Sequence, residues 1–449
     1  MQAAGFVALD VQTKTSAATS TENLTTLEQW LEHISRQHTA EIEMGLERVR
    51  EVWQRMRCPQ APVNIIVGGT NGKGSTCAML ESILHVGGYK TGFFTSPHLL
   101  RYNERVRVDK AEASDALLIA SFRAIEASRS VPNTIPLTYF EYGALSALWI
   151  FAHQNIEVAI LEVGLGGRLD AVNIIDADVS VVVSVDLDHQ HYLGDTKEKI
   201  GLEKAHIYRA GRPAIFADVT PPESLTAYAD SIGAHLFLLN RDYQYQRMDN
   251  QWQFKGKILG RDIARRSLPW PALRGAYQLK NASGALAALS ALQERLPLSI
   301  GHIKRGLLEV EWPGRMQVLP GRPAVVLDVA HNPHAVRALE DSLGTMGFYE
   351  NTFAVFSMLK DKDIDAVIDI IKGRIDFWFV AGLPGERGLS AELLAEKLRA
   401  SGLEGKYSLH TSVGLAYAAA REKASENDRI LAFGSFGTVA EVMSALKVR

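Results

Sequence analysis

The chain has 449 residues, of which 47% are hydrophobic and 22% are charged, and its formal net charge is −3 at pH 7. That length allows two or three domains with sizeable cores, and the small negative charge provides no basic surface for nucleic acid. No run of about 18 apolar residues is present to span a membrane, and two cysteines, Cys58 and Cys77, form neither a disulfide framework nor a zinc site, which favours a cytoplasmic protein.

The first segment, residues 1–22, is rich in Ser, Thr and Ala. It lacks the apolar core of a signal peptide, and it contains no arginine of the kind that transit peptides carry. This composition predicts a flexible tail.

A glycine-rich turn follows the apolar run 63–67 and precedes a helical pattern. Strand, turn and helix in this order predict a phosphate-binding loop, because the turn and the helix N-terminus point N–H groups at an anion. The strict motif has Gly at position 67 and Ser or Thr at position 74, where this chain has Val67 and Gly74. A glycine turn with a surface lysine, Lys73, is the alternative. The predicted loop consists of Gly69, Thr70, Asn71, Gly72, Lys73, Gly74, Ser75 and Thr76.

Short runs rich in Val and Ile at 157–163, 179–185 and 213–217 alternate with helical patterns. Such runs are typical of buried parallel strands. We therefore predict an α/β protein with an N-terminal doubly wound, mostly parallel sheet, in which ligands bind beyond the carboxyl ends of the strands.

Four polar residues follow strands or lie near them in this part of the chain. Glu162 closes an apolar run, where it could lie beside the magnesium ion of a nucleotide or be an ordinary strand-end acid that faces water. His189 follows the next strand and suits a metal ligand, a base or an ordinary polar loop residue. Ser96 could offer a hydroxyl to a metal or form a simple Ser-Pro turn, and Lys204, on a predicted helix, has the pattern of a solvated surface charge.

The pattern changes between 240 and 275, where apolar and polar residues alternate as in a small antiparallel sheet. An alanine-rich helix is predicted over 279–296, ended by Pro297.

A second, smaller, Rossmann-like α/β domain is predicted from residue 312, with strands at 324–328, 352–357, 375–381 and 429–433. The predicted division is a flexible tail, a larger domain that contains the phosphate loop, a linker and a C-terminal domain, at 1–22, 23–298, 299–311 and 312–449.

The second domain adds its own polar residues. Asp328 and His331 come directly after its first predicted strand. Arg315, near the linker, could clamp phosphates when two domains close, or form an interdomain salt bridge.

Taken together, the motifs resemble the folylpolyglutamate synthase family of the Mur ligase superfamily from about residue 24 to the C-terminus. The extra glycine after Lys73 is typical of that family. The segments that carry the resemblance are GTNGKGS (69–75), SPHL (96–99), ERVRV (104–108), TYFEYG (138–143), EVGLGGRLDA (162–171), LDH (187–189), EKA (203–205), WPGR (312–315), DVAHNPHA (328–335) and GSF (434–436).

The resemblance implies an ATP-dependent ligase that joins L-glutamate to dihydropteroate and to tetrahydrofolates through an acyl phosphate. It implies ATP contacts from the loop 69–76, Asn281, Arg315 and Asp328. It also implies two Mg²⁺ sites, and the ligands for them are Ser96, Glu162, His189 and a carbamylated Lys204. His331 and Ser435 match family positions in the cleft near the glutamate site, and the catalytic candidates are Lys73, Lys204 and His331.

The resemblance also implies a pteroate pocket. Bifunctional members of the family often carry an aspartate where Glu43 stands. The pocket residues that it implies are Ile42, Glu43, Met44, Thr138, Tyr139, Phe140, Glu141, Leu169, Asp170 and Ala171.

Three other functions fit parts of the sequence. A peptidoglycan ligase would need a nucleotide-sugar domain, of about 100 residues, before the loop, and only 72 residues precede Lys73. A non-catalytic nucleotide-binding module would not need Asp328 and His331. A synthase that only extends polyglutamate chains differs in its use of dihydropteroate. We expect a monomer with no nucleic-acid or membrane partner.

Overall fold

The structure is a computed structural model that describes residues 21–38 and 43–448. Most of the predicted tail, residues 1–20, lies outside the described residues, as does the predicted pocket residue Ile42. The first described residues, Thr21–Asn23, form a 3-10 turn.

The first domain is built on an eight-stranded sheet with the strand order β4-β3-β2-β5-β1-β6-β7-β8. Six strands are parallel, and β3 and β4 run antiparallel at one edge. Every residue of β1, β2, β5 and β6 is buried, which explains their continuous apolar sequence. The strands are β1 (Val63–Gly68), β2 (Thr91–Phe94), β3 (Val106–Val108), β4 (Ala111–Glu112), β5 (Val158–Glu162), β6 (Val179–Val182), β7 (Pro213–Phe216) and β8 (His235–Leu238).

Helices cover both faces of this sheet, as a doubly wound fold requires. One face buries Trp30, Phe122 and Tyr142, and the other buries Leu80 and Leu286. The helices are α1 (Leu27–Ser35), α2 (Glu47–Met56), α3 (Lys73–Val86), α4 (Asp115–Ser130), α5 (Tyr139–His153), α6 (Gln190–Leu193), α7 (Lys197–Ala205), α8 (Glu223–Ser231), α9 (Tyr277–Ala291) and α10 (Ile300–Leu308).

The antiparallel segment predicted between 240 and 275 is confirmed. It forms a three-stranded sheet of β9 (Tyr243–Arg247), β10 (Trp252–Ile258) and β11 (Arg261–Leu268), with β10 in the middle. Alternate residues of β10 are buried in the core that also contains Leu289 of α9, which gives the period of two in the sequence.

The second domain contains a six-stranded sheet in the order β12-β13-β17-β14-β15-β16, parallel except for β12. Its strands are β12 (Gln317–Leu319), β13 (Ala324–Leu327), β14 (Thr352–Phe356), β15 (Phe377–Ala381), β16 (Tyr407–His410) and β17 (Arg429–Phe433). Its helices are α11 (Pro333–Thr345), α12 (Ile364–Ile371), α13 (Ala391–Ala400), α14 (Val413–Lys423) and α15 (Phe436–Leu446). Among the described residues, no helix is long and apolar enough to cross a membrane.

Two predicted elements end earlier than expected. The strand predicted over 179–185 leaves the sheet at Val182, because the next residues bond the phosphate loop instead: Ser184 O accepts from Thr70 N at 2.8 Å. The helix predicted over 279–296 begins at Tyr277 and ends at Ala291. A turn follows it, with Arg295 N–H donating to Leu292 O at 2.9 Å, so Pro297 does not end the helix.

The segment predicted to be a linker, 299–311, is mostly helix. The helix α10 packs tightly on α3, and a Cβ on Gly306 would lie 2.5 Å from Ile83 Cα. The capping box of Ser299 and His302 starts this helix, a signal that the sequence carried. The connection between the two sheets is therefore shorter than predicted, and it begins after Leu308.

Candidate active site

A cleft of about 770 Å³ lies beyond the carboxyl ends of β1, β5 and β6, and residues of the second domain line its opposite side. Every predicted site residue in the described part of the chain lines it except Thr76. The hydroxyl of Thr76 instead donates to Gly72 O within α3, at 3.0 Å. The structure therefore brings the predicted loop, metal, acceptor and second-domain residues together in one space.

The phosphate loop joins β1 to α3. Gly69 and Gly72 have φ angles of +142° and +86°, and a Cβ on Gly72 would lie 2.6 Å from Asn281 Oδ1. No side chain caps the N-terminus of α3, so its first N–H groups are available to an anion. The Lys73 ammonium donates to Gly69 O at 2.9 Å, so it lies across the loop.

Glu162 ends β5 beside the loop and is 4% exposed. Burial raises the pKa of its carboxyl group, although the Lys73 ammonium opposes that effect. The Thr95 hydroxyl donates to the carboxylate, which joins Glu162 to the residue before Ser96. With the Thr95 hydroxyl and the Ser96 backbone N–H as its hydrogen-bond donors, the carboxylate still keeps lone pairs for a cation.

His189 follows β6 and its backbone is left-handed, with φ of +50°. Burial lowers the pKa of its imidazole to about 4, and the Lys362 ammonium adds to that shift. At neutral pH the ring is uncharged, as a metal ligand must be. Ser96, Glu162 and His189 supply the oxygen and nitrogen donors that a hard cation accepts. Within residues 21–38 and 43–448, no group of three or more His, Cys, Asp or Glu side chains forms a metal site by itself.

Lys204 lies near the end of α7 and is 4% exposed. Burial lowers the pKa of its ammonium to about 7, with the Lys73 charge as the second cause. In the described structure, no hydrogen bond or ion pair satisfies its Nζ. Lys204 is therefore not the solvated surface lysine that its local pattern suggests.

The second domain contributes Arg315 and Asp328. The Asp328 carboxylate accepts N–H bonds from Met316 at 2.7 Å and Ala330 at 2.8 Å, which fixes the chain on both sides of β13. Burial raises the pKa of Asp328, opposed by the Arg315 guanidinium. Arg315 also lies over the ring of Phe436, 5.1 Å from its centroid.

His331 and Ser435 follow the carboxyl ends of two adjacent strands, β13 and β17. The ring Nδ1 of His331 is 2.8 Å from Val329 O, which turns Nε2 towards Asp188 Oδ2 at 3.8 Å. Burial lowers the pKa of His331 to about 4, and Lys362 adds to the shift. Ser435 caps α15 and accepts from Thr438 N at 3.0 Å.

The acceptor wall is built from the start of α5 and the loop after β5. Thr138 and Glu141 form a capping box at the start of α5. Asp170 accepts from the N–H groups of Gly164 and Leu165, both at 2.9 Å. The ring of Phe140 covers Gly164 so closely that a Cβ there would lie 2.5 Å from the ring. Burial raises the pKa of Asp170 to about 6.

Arg48 ties the segment after the undescribed residues 39–42 to this wall. It donates to Glu141 Oε1 at 3.0 Å and to the Glu43 carboxylate. Glu43 also pairs with His38 at 2.8 Å. Met44 follows Glu43 and lines the cleft.

Sequence reasoning missed the contacts that join the two domains. Asp188 accepts from Lys362 Nζ at 2.7 Å and from Asn332 Nδ2 at 3.0 Å. Asn71 Nδ2 donates to Asn332 at 3.2 Å and lies 2.7 Å from His334 Nδ1. Burial alone would raise the pKa of Asp188, but Lys362 outweighs it and holds that pKa well below its usual value. Asp188 and His334 lie inside quoted motifs, whereas nothing in the pattern singled out Lys362.

The cleft can therefore hold a polyphosphate, a hard cation and an elongated acceptor with an aromatic part. The loop and the N-terminus of α3 present N–H groups suited to phosphates, Glu162 and His189 line the same space, and the wall around Phe140 presents an aromatic face. Ligand sites lie preferentially at domain interfaces, and this cleft has that placement.

Known proteins resemble this chain closely. Residues 314–436 match the family described as Mur ligase, glutamate ligase domain. The chain is 42% identical over 427 residues to the dihydrofolate synthase/folylpolyglutamate synthase of Escherichia coli strain K12, covering 94% of this chain and 96% of that protein.

Solved structures are also similar to this chain in fold and sequence. One, described as E. coli FolC in complex with DHPP and ADP, has a TM-score of 0.88 at 42% identity and covers 94% of this chain and 98% of its own. Another, a bifunctional folylpolyglutamate synthase/dihydrofolate synthase with Mn, AMPPNP and L-glutamate bound, has a TM-score of 0.86 at 41% identity over 94% and 98% of the two chains. The resemblance read from the motifs is confirmed: the chain belongs to the dihydrofolate synthase/folylpolyglutamate synthase family, whose members are ATP-dependent ligases.

Proposed function

We propose that this chain joins L-glutamate to dihydropteroate, giving dihydrofolate, and to tetrahydrofolate, giving its polyglutamates. The observation that carries the proposal is one cleft in which a phosphate loop, a buried acid and an aromatic acceptor wall face a glutamate-ligase domain. The relatives bound to DHPP and ADP, and to Mn, AMPPNP and L-glutamate, support the same set of ligands.

The chemistry explains why the cleft needs ATP. A carboxylate is a poor electrophile, so its oxygen first attacks the γ-phosphorus of ATP, and ADP leaves. The amine of L-glutamate then attacks the acyl carbon of the resulting acyl phosphate, loses a proton and expels phosphate. Lys73 and Arg315 offset the negative charge that develops on the transferred phosphoryl group.

The nucleotide would lie along the loop 69–76. The free N–H groups of α3 hold its phosphates, and Asn281, buried beside Gly72, faces the same end of the cleft. On the opposite side, Asp328 and Arg315 complete the nucleotide site from the second domain. Because these groups come from both domains, closure of the cleft is coupled to nucleotide binding, and closure also keeps water from the acyl phosphate.

We propose Mg²⁺ as the metal, with Ser96, Glu162 and His189 as protein ligands of one site. The donor set fits, since a hard cation accepts a hydroxyl, a carboxylate and a neutral imidazole, with water and phosphate oxygens completing its shell. When bound, the metal supplies positive charge to the phosphate oxygens.

A carbamate on Lys204 would supply ligands for a second Mg²⁺. The buried amine has no partner in the described structure, and its lowered pKa of about 7 leaves a reactive neutral fraction at neutral pH. The neutral amine attacks the carbon of CO2 and loses a proton, which turns a cationic side chain into an anion. An ammonium at this position would repel a metal ion, whereas a carbamate would attract it.

His331 and Ser435 are proposed to border the L-glutamate site. Both are in the second domain and line the cleft, and both follow the carboxyl ends of parallel strands. The neutral His331 ring can accept a proton from the attacking amine through its Nε2.

The pterin part of the acceptor is proposed to lie against Tyr139 and Phe140. The wall is fixed by hydrogen bonds of Thr138, Glu141 and Asp170. Its other lining residues are Leu169, Ala171, Glu43 and Met44. Ile42 is proposed to belong to the same pocket by its place in the sequence.

The test is phosphate release with ATP, Mg²⁺ and L-glutamate, comparing dihydropteroate with tetrahydrofolate as the acceptor. We expect turnover with both. Turnover with tetrahydrofolate alone would reduce the function to chain extension, and turnover with neither would overturn the substrate assignment. Omission of L-glutamate is the control, since a ligase releases phosphate in step with glutamate consumption. A monomeric state and a cytoplasmic location stay predictions, to be checked by light scattering and by fractionation.

A further inference from the structure

Arg105 is a buried cation of the cleft that the phosphate and metal assignments do not use. It ends the 3-10 turn Tyr102–Arg105, is 9% exposed and lines the cleft. Its Nε–H donates to His98 Nδ1 at 2.9 Å. Its guanidinium lies over the rings of Tyr102 and Tyr139, 5.3 and 5.2 Å from their centroids. These contacts fix the plane of the guanidinium.

The two terminal NH2 groups of Arg105 have no hydrogen bond or ion pair within the part of the chain that the structure describes. Three other cations that line the cleft differ from Arg105, since Lys280, Lys362 and Arg387 lie 2.9, 2.7 and 3.0 Å from a carboxylate. A buried guanidinium with unused donors is costly unless a ligand satisfies it. Its two parallel N–H groups match a carboxylate.

The position of Arg105 indicates which ligand carboxylate it would bind. Its carbonyl oxygen accepts from Thr95 N at 2.9 Å, directly before the proposed metal ligand Ser96. On its other side the guanidinium rests on Tyr139, the first residue of α5 in the acceptor wall. Arg105 therefore lies between the place where the acceptor carboxylate is activated and the wall that holds the pterin ring.

We infer that Arg105 binds the second, non-reacting carboxylate of a folate acceptor and so favours chain extension over the first ligation. The inference rests on the proposed function. Dihydropteroate has one carboxylate, and that group must react. The terminal glutamate of tetrahydrofolate has two, so one stays as an anion beside the site while the other is activated. Arg105 is the specificity residue for that spare anion.

The test is steady-state kinetics with both acceptors for the wild type, Arg105→Ala and Arg105→Lys. For Arg105→Ala we expect the KM for tetrahydrofolate to rise about 30-fold or more, as loss of a charge-assisted hydrogen bond predicts. The KM for dihydropteroate should stay within about threefold. The KM of Arg105→Lys for tetrahydrofolate should lie between those of the wild type and Arg105→Ala, because lysine keeps the charge but lacks the two parallel N–H groups of the guanidinium. Arg101→Ala is the matched control, since Arg101 lies on the same turn with a side chain 45% exposed.

An altered substrate gives an independent measurement. Tetrahydrofolate with the non-reacting carboxylate converted to an amide should bind the wild type about 30-fold more weakly. With Arg105→Ala the same change should have almost no effect, because the partner is already gone. If Arg105→Ala does not fold, binding of the amide by the wild type still tests the inference. Arg105→Lys then takes the place of the alanine variant in the comparison.

Three results would overturn the inference. Equal losses of activity in Arg105→Ala with dihydropteroate and with tetrahydrofolate would place Arg105 at the reaction step that both acceptors share. A raised KM for L-glutamate with both acceptors would assign Arg105 to binding of the incoming amino acid. An undiminished amide effect in Arg105→Ala would mean that another group binds the carboxylate. Each differs from failure of the proposed function, in which the wild type itself turns over neither acceptor.

Discussion

Two buried charges at opposite ends of the cleft, Lys204 and Asp170, are satisfied to very different degrees. At the phosphate end, Glu162 and Lys204 are each 4% exposed, and within the described residues the amine of Lys204 has no partner. At the acceptor end, Asp170 is also 4% exposed, but it accepts three backbone N–H bonds, from Gly164, Leu165 and Val172. Equal burial is therefore accompanied by very different satisfaction of the charge.

The difference separates two tasks. A buried charge that the protein does not satisfy raises the free energy of the folded state, unless a ligand neutralises it. A charge that backbone N–H groups satisfy fixes the shape of a loop instead. Substitutions at the phosphate end should therefore alter chemistry and metal dependence, whereas substitutions at the acceptor end should alter binding of one substrate.

The largest effect is expected from Lys73→Ala. We expect turnover to fall about 1,000-fold with either acceptor, since a charge that stabilises phosphoryl transfer is lost. The melting temperature should hardly change, because Lys73 bonds only loop carbonyls. The measurement is ATP-dependent phosphate release, with Lys199→Ala, an exposed lysine of α7, as the control. Turnover within tenfold of the wild type would remove Lys73 from the chemistry.

Lys204→Ala should reduce turnover about 100-fold, because the proposed carbamate and its metal ion are lost together. Acetate or formate, by entering the vacated space as a free carboxylate, should restore part of the activity. The same Lys199→Ala variant controls for loss of a lysine from α7. Full activity without any added carboxylate would contradict the carbamate.

The pH dependence of wild-type carbamylation sharpens this test. With a pKa lowered to about 7, the Lys204 amine is protonated and unreactive below pH 7 and neutral above it. At a fixed concentration of dissolved CO2, the carbamylated fraction should therefore rise from pH 6 to pH 8. Carbon-13 NMR of protein in labelled bicarbonate measures it, and Lys204→Ala should lack the signal.

Glu162→Gln should raise the Mg²⁺ concentration for half-maximal activity about 10- to 100-fold, since a neutral amide replaces an anionic ligand. Direct titration with Mn²⁺ measures the same affinity without turnover. Glu157→Gln is the matched control, because Glu157 lies just before the opposite end of β5 and accepts from Lys90 N. An unchanged titration would exclude Glu162 as a ligand.

The sequence predicted the fold because buried strands and amphipathic helices follow from local rules, whereas most residues of the cleft came from the motif resemblance. Buried parallel strands give apolar runs such as 63–68, and the residues that follow them must meet at one edge of the sheet. That rule put Glu162 and His189 at the carboxyl ends of their strands and left the role of each open. The motif resemblance made both of them metal ligands and added Lys204, whose local pattern indicated only a surface residue.

Long-range contacts explain what the sequence did not predict. The pairing of Asp188 with Lys362 joins residues 174 positions apart, and no local pattern encodes such a contact. The end of β6 at Val182 depends on hydrogen bonds from the loop 69–76, which follows a different strand, β1. The segment 299–311 contains a helix because α3 offers a surface for Gly306 to approach, although its capping residues could have indicated this.

The smallest effect is expected at the acceptor end, from Glu43→Asp, which installs the residue that bifunctional relatives often carry. The Glu43 side chain is 46% exposed and its partners His38 and Arg48 are 8% and 19% exposed, and an ion pair with a solvent-exposed carboxylate contributes about 1 kcal/mol or less. We therefore expect the KM for dihydropteroate to change by no more than about threefold, with Glu47→Asp as the control for a shortened acid nearby. A tenfold change would show that the acceptor end depends on one solvent-facing carboxylate. The contrast between the acceptor end, where buried charge stabilises a loop, and the phosphate end, where it is left for a ligand, would then not hold for this segment.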